Sequence, residues 1–168
     1  MGPPDADGAL TGPADVFASL SYPMAIVTTV SGGARAGCLV GFHTQCSIDP
    51  ARYLVCISVQ NRTSDVVSSA GALAVHFLAK GDIELARVFG EETGDEVDKF
   101  AQCAWQPGPL ALPILRHDGS WLAGPIVERA AVGDHRAVVI DAMHGGGHPP
   151  RAQLQFTDVK DLSPGHPA

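Results

Sequence analysis

The segment QNRTSD, residues 60–65, follows the apolar run YLVCISV at 53–59 and sets an arginine beside two hydroxyls. Where a strand gives way to a helix, the first helical turn offers N–H groups without intrahelical partners and a partial positive charge. Asn61, Arg62, Thr63 and Ser64 could therefore hold a phosphate, the guanidinium adding a charge-assisted contact. The same residues also make an ordinary helix start with a solvated arginine, capped by a hydroxyl or by Asp65. Residue type and spacing leave both readings open.

A second group lies in GCLVGFHTQCSIDP at 37–50. Gly41 admits close approach of a planar ligand or marks a bulge, and Thr44 and Ser47 can bond to ligand oxygens. A third is Gly133-Asp134-His135, a tight turn followed by a histidine. No serine or cysteine stands with a supported base, and no carboxylate pair is spaced for acid–base work. Glu91, Glu92, Asp95, Glu96 and Asp98 read as a solvated acidic loop. The seven histidines lack the spacing of a metal site, so no metal is expected.

These groups need elements to position them. Val16, Phe17 and Leu20 share one face of a short helix over 15–20. PMAIVTTV at 23–30 and AGCLVGFHTQCSI at 36–48 read as a hairpin turned by SGGAR. YLVCISV reads as a strand buried on both faces, followed by a short helix from Val66 to Ala70. ALAVHFLA at 72–79 is a further strand, and from Asp82 a helix carries Leu85, Val88 and Phe89 on one face until Gly90 ends it. EETGDEVDKFAQ at 91–102 is a polar surface loop. SWLAGPIVERAAV at 120–132 and HRAVVIDAM at 135–143 pair around the turn, and QLQFTDV at 153–159 supplies a last edge strand. Six or seven strands with two or three short helices, and no regular βαβ alternation, predict a mainly β, antiparallel barrel.

With 168 residues, 45% of them hydrophobic and 17% charged, the chain can bury one core, so a single domain over 14–160 is expected. Residues 1–13 and 161–168 are rich in proline, glycine and polar residues and read as flexible ends. A net charge of -7 without a basic block argues against nucleic acid. The start lacks a secretory pattern and no apolar run is long enough to span a bilayer, so a cytoplasmic protein without a membrane partner is expected. Cys38, Cys46, Cys56 and Cys103 read as free thiols.

Taken in order, PMAIVTTV with its glycine turn, GCLVGFHTQCSIDP, YLVCISVQNRTS, LAVHFLA, FGEETGDEVDKF, GPLALPIL and Gly133-Asp134-His135 resemble the flavin reductase-like family, from about Val16 to Gly145. The resemblance implies the FMN-binding split barrel, an antiparallel split β-barrel with a few short helices. It sets Val40, Gly41, Phe42, His43 and Thr44 beside the isoalloxazine, with Ser47 and Ile48 nearer the ribityl chain. Asn61, Arg62, Thr63 and Ser64 would hold the phosphate, Lys99 and Phe100 would close over the flavin, and His135 would serve catalysis on the nicotinamide side. The chain departs from the family at Leu39-Val40-Gly41-Phe42, which replaces a polar Thr-Ala-Asn-Ser stretch, and at Ala51, which replaces a proline.

The activity implied is an NAD(P)H:flavin oxidoreductase supplying reduced FMN or FAD to a partner monooxygenase, with NADH or NADPH as hydride donor. A homodimer is implied too, with the acidic loop at 91–98 at its interface. A reductase of another small acceptor, using a flavin or a deazaflavin, and a non-enzymatic flavin- or haem-binding module are the alternatives.

Overall fold

A computed structural model describes residues 8–91, 96–163 and 165 of the chain. After a short helix α1 (Pro13–Ser19), the β-branched run at 25–31 forms β1 (Ala25–Ser31), which turns at Gly32 and Gly33 into β2 (Ala34–Val40). Both turn glycines have positive φ, 56° and 81°, where a Cβ would be strained. The predicted long strand over 36–48 does not form as one piece. It breaks at Gly41 and Phe42, so that β2 pairs with β1 while β3 (His43–Ser47) pairs with β4 (Arg52–Ser58).

Helix α2 (Arg62–Ser69) follows β4 and is longer than the sequence suggested. Its cap is neither a hydroxyl nor Asp65. Asn61 Oδ1 accepts the Thr63 N–H at 2.9 Å, so the helix begins four residues earlier than the apolar pattern showed. Strand β5 (Ala72–Phe77) leads through a 3₁₀ turn to α3 (Ile83–Glu91), in which Gly90 lies within the helix instead of ending it. A small ribbon, β6 (Trp105–Pro107) with β7 (Pro113–Leu115), precedes the long β8 (Ser120–Val132) and β9 (His135–Asp141). The expected hairpin of β8 and β9 is present, with Gly133 at φ 76° in its two-residue turn.

The strand β10 (His144–Gly147) pairs with β8. QLQFTDV is no edge strand: Gln153 and Gln155 make isolated bridges and Phe156–Val159 is a helix, α4. Here apolar burial at Leu154 and Val159 outweighs a weak strand pattern. At the tail, Leu162 packs against the body and the Gly165 N–H reaches Gly90 O at 3.3 Å. The first seven residues and part of the acidic loop, 92–95, lie outside the described residues.

The sheet runs β2-β1-β5-β8-β9-β4-β3, all antiparallel, and is curled by β8. The first half of β8 pairs with β5 and its second half with β9, across a register shift between Ile126 and Glu128. Gly124 lets β8 approach the end of β9 closely, because a Cβ there would overlap the Asp141 carbonyl oxygen. Ala25, Val27, Val55, Ile57, Leu73, Val75, Val138 and Ile140 fill the barrel. Outside it, Met24, Ile26 and Leu78 pack against Ala86 and Phe89 of α3 and against Phe100. Strands β1 and β5 are thus the ones covered on both faces. In β4 only Val55 and Ile57 are fully buried and the alternate residues are half-buried, so the reading of YLVCISV as doubly buried is corrected.

Candidate active site

A cavity of about 370 Å³ opens where β2 leaves the sheet. Val40, Gly41 and Phe42 form one wall, Met24 and Tyr22 a second, and Cys56, Asn61 and His135 a third. The break at Gly41 makes this room. A Cβ there would stand 3.5 Å from Met24 Sδ, an ordinary contact, so the glycine leaves space instead of relieving a clash. Phe42 is half exposed, edge-on to Tyr22 at 5.6 Å between centroids and tilted over the His135 ring at 5.2 Å. Tyr22 in turn meets Phe156 at 6.2 Å.

The tight turn orients His135. Its Nδ1 lies 2.7 Å from Asp134 Oδ1, and the Asp134 carboxyl is held below its usual range by that hydrogen bond and by the nearby imidazole. A carboxylate only accepts, so Nδ1 carries the hydrogen in this contact. Neither thiol at the cavity is poised as a nucleophile. Burial pushes Cys38 up to about 11, against the opposing pull of Lys99 and the Thr63 hydroxyl, and burial raises Cys56 as well.

A polar cleft of about 310 Å³ adjoins the cavity along β2 and the start of α2. Gly37 faces the cleft and Cys38 the cavity; Arg62 and Thr63 face the cleft and Asn61 the cavity. Arg62 Nη1 reaches Arg35 O at 3.5 Å. Ser64 Oγ, in the first turn of α2, is buried and has no hydrogen-bond partner among the described residues.

The sequence-predicted residues therefore divide. Val40, Gly41, Phe42, Asn61 and His135 converge on the cavity, and Arg62, Thr63, Lys99 and Phe100 line the cleft. His43, Thr44, Ser47, Ile48 and the buried Ser64 line neither. His43 is a strut: its Nε2–H donates to Pro23 O at 2.6 Å and its Nδ1 accepts from Tyr53 OH at 2.7 Å, while burial lowers its basicity. Thr44 bonds the Gln45 carbonyl at 3.1 Å, and Ile48 is 86% exposed. Lys99 and Phe100 do not belong to a solvated loop. The Lys99 ammonium is buried on Gly37 O (3.2 Å) and Phe89 O (3.1 Å), and Phe100 packs between Phe89 and Trp105.

Tyr22, Met24, Cys56, Phe156 and Arg35 were not singled out, because they reach the site only through tertiary packing; Arg35, directly after the Gly32-Gly33 turn, carried the one local hint. No group of three His, Cys, Asp or Glu among the described residues could hold a metal, and no helix among them is long and apolar enough to cross a membrane.

A curled antiparallel half-barrel with few short helices, opening on an apolar cavity beside a helix start, is the split barrel of flavin reductases. The NADH:FAD oxidoreductase of Streptomyces globisporus C-1027 shares it, with a TM-score of 0.79 at 23% identity over 88% of this chain and 92% of that one. The flavin reductase like domain matches residues 17–158, and the chain belongs to that family of oxidoreductases. The reductase component of 4-hydroxyphenylacetate 3-monooxygenase from Escherichia coli is 30% identical over 128 residues, 76% of this chain and 75% of its own length. An FMN reductase (NADH) of Ancylobacter novellus is 30% identical over 136 residues, 79% of this chain and 75% of its own.

Proposed function

We propose that the protein is an NAD(P)H:flavin oxidoreductase that delivers reduced FMN or FAD to a separate monooxygenase. The observation that carries this reading is the adjacency of an apolar cavity and a cationic cleft across the first turn of α2. A flavin has the matching division, a planar apolar ring joined by a polyol to phosphate. The donor set fits as well: the positive end of α2 faces the junction of cavity and cleft, Arg62 lies at its start, and just behind them the buried Ser64 hydroxyl lacks a partner among the described residues. A bound flavin supplies the ring that takes a hydride from a reduced nicotinamide.

The chain itself binds, orients and excludes water. Val40, Gly41 and Met24 give the ring a wall without side-chain donors, so backbone groups at the break between β2 and β3 stand in for the polar stretch that the family has there. His135, fixed by Asp134, presents its ring edge beside Phe42 and positions the second ring. His43, Thr44, Ser47 and Ile48 belong to the support of this wall and not to the ligand shell. Residues 14–160 form the catalytic domain.

The exposed Phe17, Phe42 and Phe156 near the cavity support a homodimer whose second subunit covers the opening, and four unbridged cysteines agree with the cytoplasm. The test is NADH and NADPH oxidation by the purified protein with and without FMN or FAD. Flavin-dependent turnover is expected. Nicotinamide oxidation that ignores added flavin, or no flavin binding at all, would overturn the reading.

A further inference from the structure

The polar cleft holds a cation that a flavin mononucleotide does not need. Arg35, at the start of β2, is exposed, yet its guanidinium is held: Cζ lies 4.7 Å from the Trp105 ring centroid and 5.8 Å from that of Phe100. No carboxylate among the described residues pairs with it. Glu96 and Asp98 face the same cleft, and Asp98 Oδ1 is engaged by the Phe100 N–H at 3.0 Å. An arginine stacked on an aromatic ring keeps its N–H donors in the guanidinium plane and directs them past the ring edge. Arg35 is therefore a pre-oriented hydrogen-bond donor for an anion on the wall of a cleft, with no paired carboxylate among the described residues.

Its place along the strand gives it meaning. Val40 faces the apolar cavity and Gly37 the cleft beside α2; Arg35 stands five residues from Val40, about 16 Å along an extended strand. The order on β2 is thus ring wall, first anion position at the α2 start, then a second cation farther out. Arg62 spans the two anion positions, because its Nη1 reaches the Arg35 carbonyl.

We infer that Arg35 and the Trp105 ring beneath it form a subsite for the second phosphate of a dinucleotide flavin, making the protein selective for FAD over FMN. The guanidinium face turned away from Trp105 is also a surface on which an adenine ring stacks. The inference rests on the proposed flavin reductase reading and adds to it the identity of the flavin.

Equilibrium titrations of the full chain with FAD, FMN and riboflavin, at one ionic strength, test it in the wild type and in Arg35→Gln and Arg35→Lys. Tighter binding of FAD than FMN is expected in the wild type. Arg35→Gln should weaken FAD by roughly tenfold or more and change FMN and riboflavin by less than about twofold, the loss of one charge-assisted contact. Arg35→Lys, which keeps the charge but not the planar fork, should fall between. Thermal melts of the free proteins separate a binding loss from a folding loss, since a fold defect would weaken all three ligands together. Equal affinities for FAD and FMN, or equal losses for both in Arg35→Gln, would overturn the subsite while leaving the reductase reading intact. Failure of the wild type to bind any of the three would overturn both.

Discussion

Arg62 and His135 are the two side chains whose roles separate binding from chemistry. Arg62 lies at the first turn of α2, where a phosphate would meet the positive end of the helix dipole and a guanidinium together. Arg62→Ala is expected to weaken FMN by about ten- to a hundredfold while riboflavin, which lacks the phosphate, changes little. Fluorescence titration with the two ligands reads this, and equal losses would place the residue's effect elsewhere. His135 is a ring held by Asp134 and tilted against Phe42, and among the described residues its side chain has no hydrogen bond to the core. His135→Ala should therefore raise KM for the nicotinamide or slow hydride transfer, with flavin affinity and Tm nearly unchanged. Unchanged stopped-flow rates at limiting and saturating NADH, with a stability loss of about 1 kcal/mol, would make it a turn residue only.

At the scale of elements, β8 decides the shape of the site. Its register shift between Ile126 and Glu128, with the close approach at Gly124, lets one strand serve β5 and β9, and β9 then carries His135 to the cavity. Gly124→Ala must displace the backbone at Asp141 and Met143, so a loss of about 1–3 kcal/mol is expected in urea unfolding. A wild-type midpoint would show that the sheet accommodates the methyl group. The hairpin of β8 and β9 was legible because Gly133-Asp134 is a strong local turn signal between two apolar runs. The break between β2 and β3 was not: GCLVGFHTQCSI is apolar enough to continue, and only its partners, β1 on one side and β4 on the other, split it. The burial of Lys99, in a segment that reads as a surface loop, was hidden for a related reason. A lysine in an acidic stretch looks solvated, whereas here two backbone carbonyls receive its ammonium inside the fold.

Across the whole molecule, the junction of barrel and ribbon holds a histidine that reports on folding. His76 is fully buried on β5, its Nδ1–H donating to Ile26 O (3.0 Å) and its Nε2 accepting the Leu115 N–H (3.1 Å). Burial, with a smaller contribution from His117, pushes it down to about 3. An unfolded chain takes up the proton near pH 6.5, which the native state refuses, so this group's stabilisation is complete above about 6.5 and is lost as pH falls toward 3. Urea midpoints measured from pH 7 to pH 4 should fall in the wild type and fall less steeply in His76→Gln. Parallel profiles would assign acid sensitivity to other groups.

The sequence by itself determined the class of fold, the hairpin carrying His135, and a polar helix start after an apolar strand, because turn chemistry, β-branched runs and caps act over a few neighbouring residues. It also determined family membership, through short segments whose order matters more than any one of them. Only the tertiary structure decided which side chains meet. Tyr22, Cys56 and Phe156 reach one cavity from segments far apart in the chain, and Arg35 finds Trp105 seventy positions away. His43 is tied to Pro23 and Tyr53, contacts that no local pattern announces. Such meetings depend on how far a sheet curls, which β8 sets through a bulge and a single glycine, and no local pattern records that geometry.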